Sequence, residues 1–199
     1  MGAAAIPIVL AFLLVFVAWR LIFSYNRDLV RARAWRELAR RSAPFVVLTL
    51  MALSIFPIQT LRDQTLVLAW AAGSAILIIL ANFISTPALE RRANKAFRSG
   101  DYAGAASGYR QLAEQQPLAR HYAFLSASLG AGERYDESLA ASSKALELDP
   151  EYGIALYNRG LVYRRMGKTS KARKDLQRAL QTDLPRRFKA AVRKILEDL

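Results

Sequence analysis

The chain opens with three long uncharged stretches and continues as a segment in which apolar and charged residues alternate at helical spacing. Each uncharged stretch approaches the roughly 20 residues that a helix needs to cross the hydrocarbon core of a bilayer. We therefore predict transmembrane helices at about 3–23, 43–61 and 65–85. The same pattern divides the chain into a membrane domain, 1–86, and a second domain, 87–199.

The distribution of arginine predicts how these helices are oriented. A basic loop at 24–42 carries six arginines, whereas the turn between the second and third spans has only Arg62 beside Asp63. Basic residues in short loops are retained on the cytoplasmic side of a membrane. We therefore expect the N-terminus outside, the basic loop inside, and the whole second domain in the cytoplasm, with the spans in a bacterial inner membrane.

The basic loop also contains Leu29, Trp35 and Leu38 among its arginines. One interpretation is an amphipathic helix that lies on anionic lipid headgroups, with these three residues toward the acyl chains. The alternative is an ordinary solvated helical connector that only fixes the topology. Anionic lipid is thus one partner that the sequence predicts for this loop.

The second domain contains a repeated pattern. Three segments, each a turn followed by a helix with small residues in its first turn, end on the regularly spaced prolines Pro117, Pro150 and Pro185. Proline stops a helix, because it lacks the N–H that the helix needs. The spacing of these prolines is close to the period of roughly 34 residues that is typical of stacked helical hairpins.

The third unit shows the alternation of large and small residues most completely. Its two helices carry, in order, Leu156, Gly160, Tyr163, Ala172, Leu176 and Ala179. These positions resemble the signature of the tetratricopeptide repeat (TPR) family, and the resemblance extends from about Pro87 to the end of the chain. It implies an all-α fold: after the three-helix transmembrane region comes a TPR-like α-solenoid of about three helical hairpins plus a C-terminal capping helix. The units are expected at about 87–117, 119–150 and 153–184, with the cap at 185–199.

Members of this family usually bind peptides or protein segments in a concave groove lined by the first helix of each pair. Transferred to this chain, the resemblance implies a groove lined by Glu90, Asn94, Phe97, Arg98, Ala123, Ala127, Tyr157, Leu161, Arg164 and Arg165. Aromatic side chains fill pockets and arginine pairs with carboxylates, so the expected ligand is an extended segment with apolar and acidic residues. A merely solvated helical face is the alternative.

Composition narrows the classes of function. The chain has 29 basic and 16 acidic side chains, no cysteine and one histidine, His121. The lack of cysteine excludes disulfides and thiolate metal sites. No constellation of residues indicates catalysis, a cofactor or a metal, so an enzyme is not predicted. Nucleic-acid binding is disfavoured, because the positive charges are dispersed rather than gathered with aromatic residues.

These observations predict a membrane-anchored scaffold or adaptor that mediates protein–protein interaction at the cytoplasmic face, within a larger membrane complex. A membrane-bound assembly factor for cytochromes or other complexes, with the repeats outside, is the main alternative. A small transporter or channel subunit is disfavoured, because the spans contain no charged residue deep in the hydrocarbon. The side of the membrane on which the repeats lie distinguishes the first two.

Overall fold

The computed structural model describes residues 5–58 and 63–199 of the chain, and every regular element in these ranges is an α-helix. The prediction of an all-α fold is therefore confirmed for the described residues. The chain divides into two compact units, Met1–Pro87 and Ala88–Leu199. Each unit is described by itself below.

The N-terminal unit contains four helices in its described part. They are α1 (Ala5–Tyr25), α2 (Arg27–Arg31), α3 (Trp35–Ile58) and α4 (Gln64–Ser85). Helix α3 packs against α1, α2 and α4. The packing of α3 on α4 includes one polar contact, in which the indole N–H of Trp70 donates to Ser54 Oγ at 3.1 Å. Helix α4 starts after Asp63, whose carboxylate accepts the backbone N–H of Thr65 at 2.8 Å and so satisfies one of the unpaired donors of the first turn.

Helix α4 is the one helix among the described residues that is long and apolar enough to cross a membrane. Within it only Ser74 and Ala81 are buried. Its large apolar side chains are exposed along most of its length: Leu66, Val67, Leu68, Ile76, Leu77, Ile79, Leu80, Phe83 and Ile84. Such a continuous exposed apolar surface is unfavourable in water and suits a hydrocarbon environment.

The other two predicted spans meet this test only in part. Residues 3 and 4 of the first span and 59–61 of the second lie outside the described residues. In α1 the apolar segment within the described part is Val15–Tyr25, which is shorter than a full crossing. Helix α3 starts at Trp35, before the predicted second span, in a charged turn. The spans at 3–23 and 43–61 therefore stay predictions.

The basic loop at 24–42 consists mainly of helix, namely α2 and the start of α3. Leu29 and Leu38 are buried inside the N-terminal unit, at 0% and 7% exposure, while Trp35 is exposed. The interpretation in which Leu29 and Leu38 face lipid is therefore wrong. The two leucines are instead core residues that hold this connector in place.

The connector also contains a buried acidic side chain. Glu37 is buried and pairs with Arg40 and, at 2.8 Å, with Arg41. Burial by itself raises the pKa of Glu37, but the hydrogen bonds and charges of the two arginines outweigh burial and hold that pKa below its usual value. Glu37 thus stays ionised and neutralises part of the local positive charge.

The C-terminal unit contains seven helices arranged as three hairpins and a final helix. Its helices are α5 (Ala88–Arg98), α6 (Tyr102–Gln115), α7 (Ala119–Ala131), α8 (Tyr135–Leu148), α9 (Gly153–Arg165), α10 (Thr169–Gln181) and α11 (Arg186–Glu197). Each helix packs on the next, and α7 also contacts α9, so these two first helices lie side by side. Three clusters of buried apolar residues form the core of this stack.

Small residues allow the helices of the third hairpin to approach closely. Gly160 of α9 faces Leu176 of α10, which is fully buried. A Cβ atom at residue 160 would lie only 2.8 Å from Leu176 Cγ and 2.9 Å from its Cδ2. A hydrogen-bonded ion pair fixes the same two helices, since Arg159 Nε donates to Asp175 Oδ2 at 2.6 Å.

The turns inside the hairpins use a left-handed residue. Gly100 and Gly167 adopt positive φ angles of 82° and 70° in the first and third hairpins. Glu133 adopts the same conformation, with φ of 61°, in the second. Glycine has no Cβ and enters this region without strain, whereas a residue with a Cβ does so at a cost in free energy.

Candidate functional site

The C-terminal unit contains a cavity of about 370 Å³, bordered by the first helix of each hairpin and by α11. This volume lies within the range of ligand-binding clefts. The lining side chains are mostly aromatic or aliphatic, with a few amide and guanidinium groups among them: Asn94, Phe97, Tyr109, Phe124, Ser126, Ala127, Gly130, Ala131, Ile154, Tyr157, Asn158, Leu161, Val162, Arg165, Arg187 and Phe188.

One side of the cavity is built by two stacked rings and an amide. Tyr109 of α6 is fully buried, and its ring centroid lies 5.3 Å from that of Phe124 on α7. The Tyr109 hydroxyl donates to Asn94 Oδ1 at 2.6 Å. Because this bond occupies the amide oxygen, it orients Asn94 with its Nδ2 as the remaining donor. The result is an apolar wall that carries one oriented amide.

Two side chains of α9 that line the cavity are held by the backbone of α7. Asn158 Nδ2 donates to the carbonyl of Ala123 at 2.8 Å, and Arg165 Nη1 donates to the carbonyl of Gly130 at 3.0 Å. A guanidinium group has five N–H donors, so this single bond leaves Arg165 able to pair with a ligand. These contacts therefore hold the Arg165 guanidinium at the cavity and leave its other N–H donors available to a ligand.

Helix α11 forms part of the wall. The ring of Phe188 lies 5.2 Å from that of Tyr157, between ring centroids, and the guanidinium of Arg187 lies 4.8 Å above the Phe188 ring. Burial raises the pKa of Tyr157, so its hydroxyl stays protonated at neutral pH and can donate a hydrogen bond. The cap thus contributes an aromatic surface and a second cation.

The electrostatic character of the cavity is positive. Two arginines, Arg165 and Arg187, line it, and no carboxylate does. Residues 88–199 as a whole carry 21 basic and 13 acidic side chains, a net charge of +8. An apolar cavity with cations and amide donors is complementary to a ligand that combines apolar groups with carboxylates.

Six of the ten residues predicted from the sequence line this cavity: Asn94, Phe97, Ala127, Tyr157, Leu161 and Arg165. Arg98 and Arg164 are exposed but do not belong to its lining. The structure thus brings the aromatic, amide and small residues together and leaves two of the predicted cations outside. That these residues bind a ligand remains a prediction.

Glu90 and Ala123 do not lie on the groove surface, and the expectation for these two residues is corrected. Their side chains are buried, with exposures of 6% and 0%. When the repeats are aligned on their left-handed turn residues, Glu90 and Ala123 are equivalent to Tyr157, which is only partly buried and lines the cavity. The same repeat position is therefore buried in the first two units and lies on the cavity wall in the third, so the side chain and its neighbours decide whether the position is accessible.

Several lining residues were missed, although the repeat contains a signal for two of them. Gly130 occupies the repeat position of Phe97, and Ala131 occupies that of Arg165. Applying the period to residues already assigned to the groove would therefore have identified Gly130 and Ala131. Phe188 was assigned only to packing of the cap, because a cap is expected to shield the last hairpin rather than to form part of a cavity wall.

Comparison with known proteins identifies the repeat. A model of the tetratricopeptide repeat family matches residues 153–183. Sperm-associated antigen 1 of Mus musculus is 34% identical over 92 residues, which is 46% of this chain and 10% of that protein. The chain thus spans about a tenth of the length of this curated relative.

Two solved structures illustrate the similarity, and one of them supports the fold. The type III secretion translocator chaperone SycD of Yersinia enterocolitica superposes with a TM-score of 0.53 at 19% identity, covering 56% of this chain and 87% of SycD. The TPR2B domain of yeast Sti1, solved in a complex with pHsp70, has a TM-score of 0.48 at 22% identity, covering 54% of this chain and 86% of that domain. The family match and SycD confirm that the C-terminal unit is a TPR-like helical solenoid.

Proposed function

We propose that this protein is a membrane-anchored scaffold whose TPR-like unit binds a segment of a partner protein at the cytoplasmic face of a bacterial inner membrane. It acts by binding rather than by catalysis, as one subunit of a larger membrane complex. The observation that carries the proposal is the cavity formed by α5, α7, α9 and α11, which is apolar inside and lined by cations without a carboxylate.

The anchoring part of the proposal is supported by α4. Its exposed apolar surface and its length suit a membrane crossing. We assign the other two crossings to α1 and α3, in agreement with the uncharged stretches of the sequence. The arginines that follow α1 then lie in the cytoplasm, next to anionic lipid headgroups, and the repeats lie on the same side.

The proposed ligand is an extended segment that alternates apolar and acidic residues. An apolar side chain buried between Tyr157, Phe188 and Phe124 contributes roughly 1.5–3 kcal/mol. Carboxylates next to it pair with Arg165 and Arg187 through charge-assisted hydrogen bonds. SycD, a solved protein of the same fold, is described as a chaperone of a secretion translocator, which agrees with a role in binding protein segments.

The test fills the cavity with a tryptophan side chain and compares peptide binding with that of a variant in which the same substitution lies outside the cavity. Ala127 lines the cavity, whereas Ala140 is exposed on α8 and does not. Ala127→Trp and Ala140→Trp in the purified full-length protein are screened against peptide libraries of equal length that combine Leu with Asp, with Lys or with Ser. We expect wild type and Ala140→Trp to select Leu/Asp peptides, and Ala127→Trp to bind the same peptides at least roughly tenfold more weakly.

Two outcomes would contradict the proposed groove. If Ala127→Trp binds the selected peptides as tightly as Ala140→Trp does, the cavity is not the binding site. If Leu/Lys peptides bind as well as Leu/Asp peptides, the arginines do not select the ligand. Replacing Arg165 by Gln in wild type then measures how much of the preference for Asp depends on that cation.

A further inference from the structure

A second cavity, of about 400 Å³, lies in the N-terminal unit where α1 ends and α2 follows. Its lining consists of three arginines, two apolar residues and a serine: Arg20, Phe23, Ser24, Arg27, Val30 and Arg31. From the sequence, the arginines of the connector predict topology and a general attraction for anionic lipid, without a defined site. The structure instead gathers three of them around one concave site.

The lining of this cavity contains three arginines and no acidic residue. The neighbouring Asp28 is buried, and Glu37 pairs with Arg40 and Arg41. Guanidinium groups match the geometry of phosphate oxygens and bind them through paired hydrogen bonds. Three of them around one cavity therefore fit a phosphate group.

The apolar surroundings indicate what carries that phosphate. Phe23 is 46% exposed and its ring stacks on that of Trp19, with centroids 6.1 Å apart. Further along α1, Leu13, Phe16 and Val17 are exposed as well. An exposed apolar strip thus runs along α1 to the arginine cavity. A free phosphate ion would use only the cavity, whereas a phospholipid uses the cavity and the strip together.

We propose that the cavity of Arg20, Arg27 and Arg31 is a binding site for the phosphate headgroup of an anionic membrane lipid, whose acyl chains lie along α1. The site rests on the proposed membrane anchoring, and it refines the general attraction of a basic connector for anionic lipid into one defined position. Arg20 reaches it from the end of α1, as a long basic side chain at a membrane interface does.

The test separates this site from the general charge of the connector. Two double variants remove the same number of charges: Arg20→Gln with Arg27→Gln changes the cavity, and Arg33→Gln with Arg36→Gln changes exposed arginines outside it. The full-length protein in detergent micelles is titrated with dioleoyl phosphatidylglycerol, with dioleoyl phosphatidylcholine and, separately, with inorganic phosphate. Native mass spectrometry measures the affinity of each.

We expect wild type and the Arg33/Arg36 variant to bind phosphatidylglycerol at least roughly tenfold more tightly than phosphatidylcholine, and the Arg20/Arg27 variant to lose that preference. Equal losses in both variants would show that diffuse charge, not a site, attracts the lipid. Displacement of the lipid by inorganic phosphate at a comparable concentration would overturn the lipid assignment. Resistance of the protein to alkaline extraction from native membranes is measured in parallel, so a failure of membrane anchoring is distinguished from a failure of this site.

Discussion

Glu133 occupies, in the second hairpin, the turn position that Gly100 and Gly167 occupy in the other two. Its φ of 61° is left-handed, where a residue with a Cβ is strained by about 1–2 kcal/mol. The side chain is exposed, and its own contacts are therefore not expected to repay that strain. The second hairpin thus carries a local cost that the first and third do not.

We expect Glu133→Gly to stabilise the C-terminal unit by roughly 1 kcal/mol, because glycine removes the strain and the loss is limited to the greater freedom of the unfolded chain. Glu133→Ala is the matched control, since it removes the same charge but keeps the Cβ. The full-length protein is titrated with urea, and unfolding is measured by pulsed hydrogen–deuterium exchange of peptides from α7 and α8. This gives the free energy of unfolding of each variant. Equal stability of the two variants would show that the charge, not the backbone, matters.

Single residues also mark the limit of sequence reasoning about the groove. Tyr157 and Leu161 were assigned to it from the resemblance to the repeat family, and both line the cavity. Glu90 and Ala123 occupy the same repeat position as Tyr157, but their side chains are buried. An equivalent repeat position therefore does not by itself fix accessibility, which depends on how the neighbouring helices pack around each side chain.

The packing of α9 on α10 depends on the absence of a side chain at Gly160. A Cβ there would meet Leu176, which is fully buried. Closely packed interiors resist even one added methyl group, at a typical cost of about 1–3 kcal/mol. The contact between these two helices is therefore a sensitive point of the third hairpin.

We expect Gly160→Ala to destabilise the C-terminal unit by roughly 1–3 kcal/mol. Leu176→Ala alone costs about 2–5 kcal/mol through the cavity that it leaves. The double variant is expected to lose clearly less than the sum, since the shortened side chain at residue 176 makes room for the new methyl group. The same exchange experiment, read on peptides of α9 and α10, measures the cycle. Additive losses would mean that the two positions do not contact each other.

Among the elements, the repeat helices were easier to predict than the basic connector. The regular spacing of the prolines that end the hairpins and the small residues at 160, 172 and 179 define hairpins from the sequence alone. In the connector, Leu29 and Leu38 lie among arginines, a pattern shared by a helix on a membrane surface and a helix packed on protein. Their burial follows from contact with other parts of the N-terminal unit, which the local pattern does not encode.

At the scale of the whole molecule, the division into an apolar N-terminal unit and a polar repeat unit was readable from composition. The TPR-like fold of the C-terminal unit was predicted because its packing is local: each helix contacts the next along the chain. The number of membrane crossings is harder to establish, because α3 combines a charged start with an apolar continuation. Orientation depends on insertion into a bilayer, so it needs a direct measurement.

The proposed topology predicts the location of the C-terminal end. A reporter active only in the cytoplasm, fused after Leu199, is expected to be active, because three crossings with the arginines of 24–42 inside leave the repeats inside as well. A reporter active only outside is expected to be silent at the same position. The reverse result would remove the cytoplasmic scaffold and favour the assembly factor with external repeats.

The cap α11 gives the groove a built-in thermodynamic linkage. It packs mainly on α10, and its Phe188 also contacts Tyr157 across the cavity. A ligand segment that touches Phe188 binds more tightly when α11 is docked on the solenoid than when α11 is frayed. By thermodynamic reciprocity, the bound segment stabilises the docked state of α11. Occupancy would therefore be transmitted to the backbone of residues 186–197, whose amide protons would exchange more slowly when cargo is present. The stability of the helix that closes the solenoid would therefore depend on whether a segment is bound in the cavity.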